Sequence, residues 1–576
     1  MIKTKYLLKI FGLLTVYSFL GLIAVSCRSV KRIEYLDSSN GSYNPSKMDF
    51  NESNNPLIIG IKKELDLVLN NKRAILDSYA DYSKIRSELE KAYTAAEVAS
   101  SSNNVSVKEL DDARKILEFA LTKAEQDKDN FDKQHQNLVF VYKNLKDNLS
   151  NRIRILSSLN EDKYFGIKDV LEKYYLQAQK IINDSVDADD LTEDKINDIN
   201  LKITNITSDL DSKKTNIDEY SEFKKFVIQN QNFKGSFIKN ATNNEEIVTY
   251  ITSIANNNWK YAKRKIQNVN NNDLSKITDV SWIYDLRAQN SSNASYDLIF
   301  DYYGGSNATL WFPYKTYSSN QNINNLGLQY KLNDNQITDI SSLISNATIN
   351  EIKVAEINLT GLNFGNNKIS FSVPQSKENP MIGNFFITLS NDEEYRNKVY
   401  DAIFGTEKNS LNENEVVVNF VKGYGIAKKV NMYQTLFTKR TSPINDMGDS
   451  TDQYVLGYLG NVTGAGDNNN VKFYTFYVNI PKTGRYNISG IINTGDRRGI
   501  YFWKDRFENN QNHAKFINLT SFNNWDKLKT FDSNDGDGST STSLQLTKGL
   551  NKIIVSGDSR NRDAPNLGNI KFTLKD

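Results

Sequence analysis

The hydrophobic period changes once along the chain, and that change limits the fold more than any single motif. From about residue 55 to 230 apolar residues recur at spacings of three and four, whereas beyond about residue 295 they alternate in short runs broken by Gly, Asn and Pro. The first period lines one face of a helix and the second one face of a strand, and neither pattern sits stably as the other. The expected fold class is multidomain α+β: N-terminal α-helical hairpins or a bundle, a mixed α/β middle region and a C-terminal β-sandwich of jelly-roll type. At 576 residues the chain is also too long for one core.

Leu110, Ala113, Leu117, Ala120, Leu121 and Ala124 share one helical face, opened by a capping box of Ser106 and Glu109. Ile85, Leu89, Ala92 and Ala96 line the helix before it, and the polar run Ser100–Asn104 turns the two into an antiparallel hairpin. Further helices are expected at 57–79, 131–158, 167–186 and 193–231, with another opened by Thr242 and Glu245 over Glu245–Lys265. Residues 56–232 read as a helical stalk. The middle region, 235–435, shows strand hairpins at 295–303 with 309–314 and at 352–359 with 368–373, further strands at 385–389 and 416–421, and a helix at 391–404. Residues 440–576 carry short alternating strands, including 472–480, 484–492, 543–546, 550–557 and 569–574, the spacing of a sandwich.

The N-terminus reads as an address. Lys3, Lys5 and Lys9 precede the apolar run Ile10–Val25, the form of an export signal over residues 1–26. Ala24-Val25-Ser26 runs into Cys27, the single cysteine, which resembles a bacterial lipobox in which Cys27 becomes lipidated. An uncleaved membrane helix is the other reading of the same run. Either one leaves the rest outside the membrane, on its extracellular face, with the Ser/Asn-rich residues 27–55 as a flexible tether.

Composition excludes some functions. Lys plus Arg number 71 and Asp plus Glu 69, so the net charge of +2 lacks the basic excess a nucleic-acid binder needs. One cysteine and two histidines, His135 and His513, leave no material for a zinc site of either residue. Asp532, Asp535 and Asp537 invite a structural calcium, but their spacing fails the EF-hand template, so no metal or other cofactor is expected.

The run Val478-Asn479-Ile480-Pro481-Lys482-Thr483-Gly484-Arg485-Tyr486, with Gly549-Leu550-Asn551-Lys552-Ile553 and Pro565-Asn566-Leu567-Gly568-Asn569-Ile570, resembles jelly-roll carbohydrate-binding modules of the family 6 and 35 type. Gly568 stands where that motif usually has aspartate. With the lipobox, the tether and the helical hairpins, the whole layout resembles the variable lipoprotein haemagglutinins of mycoplasmas. The resemblance implies a surface adhesin that binds host-cell glycans or glycoproteins, often sialylated, with antigenic variation and no catalysis.

A shallow sugar site needs aromatic faces and planar polar groups. Tyr501, Trp503 and Trp525 offer the first; Asn566 matches the motif's sugar-binding asparagine; Arg497, Arg498, Arg560 and Arg562 could hold a sialic acid carboxylate. For Trp503 the competing role is core packing. Two rival functions stay open: capture of a host matrix protein or immunoglobulin by the helical region, and a surface glycosidase with two carboxylates that no motif marks.

Overall fold

The structure, a computed structural model, describes residues 56–245, 258–290, 293–318, 321–428, 435–460, 473–506, 512–536, 538, 541–557 and 563–575. The segments expected to be an export signal and a tether, with Cys27 between them, lie outside the described residues. Among those described, no helix is long and apolar enough to cross a membrane. The described residues divide into two compact units, 56–77 with 87–124, and 78–86 with the described residues from 125 on.

The smaller unit is helical. It draws on the helices Pro56–Leu69, Lys72–Ser78, Ser83–Ser101 and Val107–Gln134. The expected stripe is inward: Leu89, Ala96, Leu110, Leu117 and Ala124 are buried, and so is Tyr93. The capping box forms as read, with Glu109 accepting from the Ser106 N–H at 2.8 Å and the Glu109 N–H donating to Ser106 Oγ at 3.3 Å. Two polar contacts tie the helices: Ser100 Oγ donates to Asp66 at 2.6 Å, and Lys72 pairs with Glu97 at 2.8 Å.

The larger unit opens with the helices Gln136–Ser150, Arg152–Ser157, Phe165–Asp184, Glu193–Thr207 and Leu210–Glu222. Two sequence expectations are corrected here. The helix expected over 193–231 breaks after Thr207 and ends at Glu222, because Phe223 turns extended and Lys224–Phe226 joins a sheet by pairing with Phe385–Ile387. The helix expected over Glu245–Lys265 is strand at both described ends: Ala241–Glu245 and Trp259–Arg264. The capping signal there is local, whereas the ladder from Tyr261–Lys263 to Ser281–Ile283 satisfies the backbone from twenty residues away. The helix expected near 391–404 is present as Glu393–Phe404, closed by Gly405 in the left-handed region.

Two β-sandwiches follow. In each, an eight-stranded sheet faces a five-stranded one. The first pairs a sheet built around Asn307–Lys315 with one containing Ala294–Tyr302, Gly365–Ser372 and Gln329–Leu332; its core is continuous with that of the preceding helices, through residues such as Ile203, Ile217, Phe312 and Phe385. In the second, Gly484–Thr494 and Asn566–Leu574 lie in the larger sheet, and Tyr474–Ile480, Gly549–Gly557, Arg498–Lys504 and His513–Leu519 in the smaller. The larger sheet also takes in Thr406–Lys408 and Glu415–Val418, upstream of residue 440.

The hairpins expected at 295–314 and 352–373 are corrected. All four strands exist, but neither pair is bonded internally. Ala294–Tyr302 pairs with Gly365–Ser372 in one sheet, and Asn307–Lys315 pairs with Lys353–Thr360 in the other. Each apparent hairpin is an arch that crosses the core. Tyr474–Ile480 and Gly484–Thr494 behave alike: the first pairs with Gly549–Gly557 and the second with Ser543–Leu546. The sandwiches meet through a third apolar cluster that includes Trp282, Trp311, Phe404, Tyr424 and Tyr477. Beside it Arg264, fully buried, donates from Nη1 to the carbonyls of Phe420, Val421 and Gly423 at 2.8, 3.1 and 2.8 Å.

Candidate functional site

At one rim of the second sandwich three segments converge: the turn 494–498, the turn 520–525 and residues 563–566 that lead into the last strand. Buried Ser521 binds the first two together, accepting from the Thr494 N–H at 2.8 Å and donating to its carbonyl at 2.7 Å. Buried Asn493 donates to the carbonyls of Trp525 and Lys527 and accepts from Asn566 Nδ2 at 2.9 Å. Arg498 reaches the third segment, donating to the carbonyls of Asp563 and Ala564 at 3.3 and 3.2 Å, and its guanidinium lies 4.8 Å from the centroid of the Trp525 ring. Gly495 lets the indole approach, since a Cβ there would stand 2.2 Å from Trp525 Nε1.

The structure thus brings Arg498, Trp525 and Asn566 together, in roles that differ from those first assigned. Trp525 keeps 38% of its surface exposed and is available to a ligand. Asn566 spends its amide on Asn493, and Arg498 spends much of its fork on backbone carbonyls, so both hold the rim in shape. Arg497 is exposed beside them. Phe522, which the sequence reading missed, is 47% exposed on the same turn. It sits at φ 57°, followed by Asn523 at φ 51°, and a bulky side chain in the left-handed region carries strain that the surrounding turn must hold. In the sequence the only signal for it is its place three residues before Trp525.

The other candidates divide. Trp503 is 1% exposed, so it is corrected to a buried position: a ring with no accessible face has none to offer a sugar. Tyr501 lies half-buried on the smaller sheet, stacked on His513 at 5.6 Å with Lys515 Nζ 5.2 Å from its ring. Asp532 and Asp535 cap a short helical turn reciprocally: Asp532 accepts from the Asn534 N–H at 2.8 Å and Asp535 from the Asp532 N–H at 3.0 Å. Asp537, Arg560 and Arg562 lie outside the described residues. Among the described residues no group of three or more His, Cys, Asp or Glu is arranged to hold a metal ion.

A paired-sheet scaffold with aromatic side chains raised on a strained rim defines a β-sandwich binding module. The sequence matches the Mycoplasma haemagglutinin family over residues 223–342 and 339–575, and the chain belongs to that family. The match begins where the helices end and spans both sandwiches. Among solved structures the chain is similar to a family 35 carbohydrate-binding module from Clostridium thermocellum, with 17% identity over 21% of this chain and 78% of that one and a TM-score of 0.16. It is also similar to the CBM35 from Cellvibrio japonicus Abf62 (12% identity, 25% and 95% covered, TM-score 0.15). A third likeness is to an isomalto-dextranase of Arthrobacter globiformis T6 complexed with panose (12% identity, 51% and 34% covered, TM-score 0.19). No curated protein matches the sequence.

Proposed function

We propose that this haemagglutinin-family chain is a surface adhesin, held to the extracellular face of the membrane by a lipid on Cys27, that binds host-cell glycans through the rim of its second sandwich. The observation that supports this most directly is the exposed pair Phe522 and Trp525 on a strained turn. Aromatic faces supply most of the area a sugar ring can bury, and pre-formed backbone strain saves ordering entropy on binding. At the rim Lys529 Nζ lies 5.9 Å from the Phe522 centroid and Arg497 is exposed, and these two are placed to meet the carboxylate of an acidic sugar such as a sialic acid, whereas Arg498 and Lys527 are already paired with Asp496 and Asp446. The protein performs no chemistry on that sugar. Many weak sites on one cell surface act together, so single-site affinities in the millimolar range suffice.

Erythrocyte agglutination by bead-displayed ectodomain, with Trp525→Ala and Phe522→Ala beside it, tests the reading. Each variant is expected to lose about 5- to 30-fold in titre, given about 1–2 kcal/mol per aromatic contact. Unchanged titres for both would remove the site from this rim and favour the helical region, where Ile116 and Phe119 are exposed at 57% and 70%. EDTA is expected to leave the titre unchanged. Cys27→Ala is expected to release the protein from the membrane fraction.

A further inference from the structure

The two sandwiches are built from the same parts. Leu362-x-x-Gly365-x-Asn367-Lys368-Ile369 recurs as Leu546-x-x-Gly549-x-Asn551-Lys552-Ile553, each at the corner of an arch between the two sheets. Asn367 donates to the carbonyls of Asn363 and Gly365 and accepts from the Asn363 N–H; Asn551 donates to those of Thr547 and Gly549 and accepts from the Thr547 N–H. Both glycines have positive φ, +109° and +92°. Thirteen and fourteen residues after these asparagines come Pro380-x-x-Gly383-Asn384-x-x-x-Thr388-Leu389 and Pro565-x-x-Gly568-Asn569-x-x-x-Thr573-Leu574. Each closing strand runs antiparallel to the strand that follows the first arch, and each has one extra residue at its Gly-Asn: Ile382 faces Tyr314 and Phe386 faces Trp311, while Leu567 faces Ile492 and Ile570 faces Gly490. Shared motif, shared arch and shared bulge mark an internal duplication.

The register makes the rims comparable residue by residue. Met381 faces Lys315 as Asn566 faces Asn493. Two residues past Lys315 stands Tyr317; two past Asn493 stands Gly495, against which Trp525 lays its indole. The first sandwich therefore supplies the ring two residues past the end of its own strand Asn307–Lys315, whereas the second brings it from the start of a different strand, Asn524–Phe531. A cation lies over each ring, Lys239 Nζ 5.1 Å from the Tyr317 centroid and Arg498 4.8 Å from that of Trp525. An arginine also reaches the residue two before the proline in each: Arg287 Nη1 donates to Glu378 and Arg498 Nη1 to the Asp563 carbonyl, both at 3.3 Å. Asp285 also holds Arg287, accepting from its Nε at 3.0 and 3.1 Å, from its Nη2 at 2.6 Å and from its backbone N–H at 2.8 Å, and Tyr317 Oη donates to Glu378 at 3.2 Å.

We propose that the first sandwich carries a second glycan subsite, centred on Tyr317 with Glu378 and Arg287, so that each chain binds two sugars. The proposal rests on the glycan reading of the second sandwich. Tyr317 offers the ring face, and the half-buried Glu378 carboxylate offers acceptors to hydroxyls. With two cations and two carboxylates the subsite is balanced in charge, so it takes a neutral sugar where the other rim favours an acidic one.

The full ectodomain, residues 28–576, is titrated calorimetrically with sialyllactose and with lactose, and the variants Tyr317→Ala, Glu378→Gln and Trp525→Ala are measured in parallel. Two sugars per chain are expected for the parent, with Tyr317→Ala and Trp525→Ala each removing one. Glu378→Gln preserves volume and keeps the test valid if Tyr317→Ala misfolds; it is expected to weaken one site about tenfold, the loss of one hydrogen bond to a charged acceptor. A parent that binds one sugar, lost in Trp525→Ala and unaffected by Tyr317→Ala and Glu378→Gln, overturns the second subsite and leaves the first standing. A parent that binds neither sugar overturns both.

Discussion

At the corner of the first sandwich Asn367 is buried and bonded to the backbone on three sides, and Asn551 repeats this in the second; at the rims, Tyr317 in one sandwich corresponds to Gly495 in the other. The difference separates two kinds of constraint. An arch turns the backbone away from its ladder and leaves N–H and C=O groups inside the protein, which must be paired wherever the fold is repeated. A rim residue meets water and, on the reading proposed above, a ligand, so no backbone pairing fixes its identity, and the two copies differ there.

The largest test of this comparison uses the pair Lys315 and Asn493, which hold one register position in the two copies. Lys315 is fully buried, and desolvation lowers its pKa from 10.5 to about 7. A lowered folded pKa means that between about pH 7 and 10 the unfolded chain holds the extra proton. Stability therefore rises through that window, by about 1.4 kcal/mol per unit at most, and is lowest below pH 7. Thermal unfolding against pH should show this rise. Lys315→Met should flatten it, whereas a change at Asn493 should leave the slope alone.

Asn367→Ala and Asn551→Ala should each cost about 2–4 kcal/mol in denaturant unfolding, since each strands several buried backbone groups. Costs differing by more than about 2 kcal/mol would break the equivalence of the corners. The Gly-Asn bulges should separate more gently. A Cβ on Gly383 would stand 2.5 Å from Pro313 and 2.9 Å from Tyr424, whereas one on Gly568 would stand 3.1 Å from Ile491. Gly383→Ala should thus cost about 1–3 kcal/mol and Gly568→Ala less than about 1. Smallest of all, Trp525→Ala should lower stability by about 1 kcal/mol or less because the ring is 38% exposed, while removing most of the agglutination.

Much of the site was legible only as an inventory. Trp525 and Arg498 stand 27 positions apart in the sequence, and nothing local places one over the other. Asn566 carried a motif signal, but the structure turns its amide inward to Asn493. Trp503 and Trp525 look alike on a composition count; the first lies on a central strand and is buried, the second opens a strand at the rim. The repeated Gly-x-Asn-Lys-Ile and Pro-x-x-Gly-Asn segments were present in the sequence, yet matches this short carry little weight by themselves, and only the matching arches and bulges make the repeat evident.

By itself the sequence determined the change from a helical to a mainly extended chain, the capping box at Ser106, the inward stripe through Leu110 and Leu117, and the strand content of the last 130 residues. Those features depend on bonds and faces within a few residues of each other. Which strand pairs with which was decided by tertiary structure alone. Alternation reports that one face of a strand is buried, and this holds equally for a hairpin, whose two strands share a face, and for an arch, whose strands confront each other across the core. The chain chose arches because two facing sheets bury both apolar sets at once, and the glycines and asparagines at the corners satisfy the backbone that the crossing exposes.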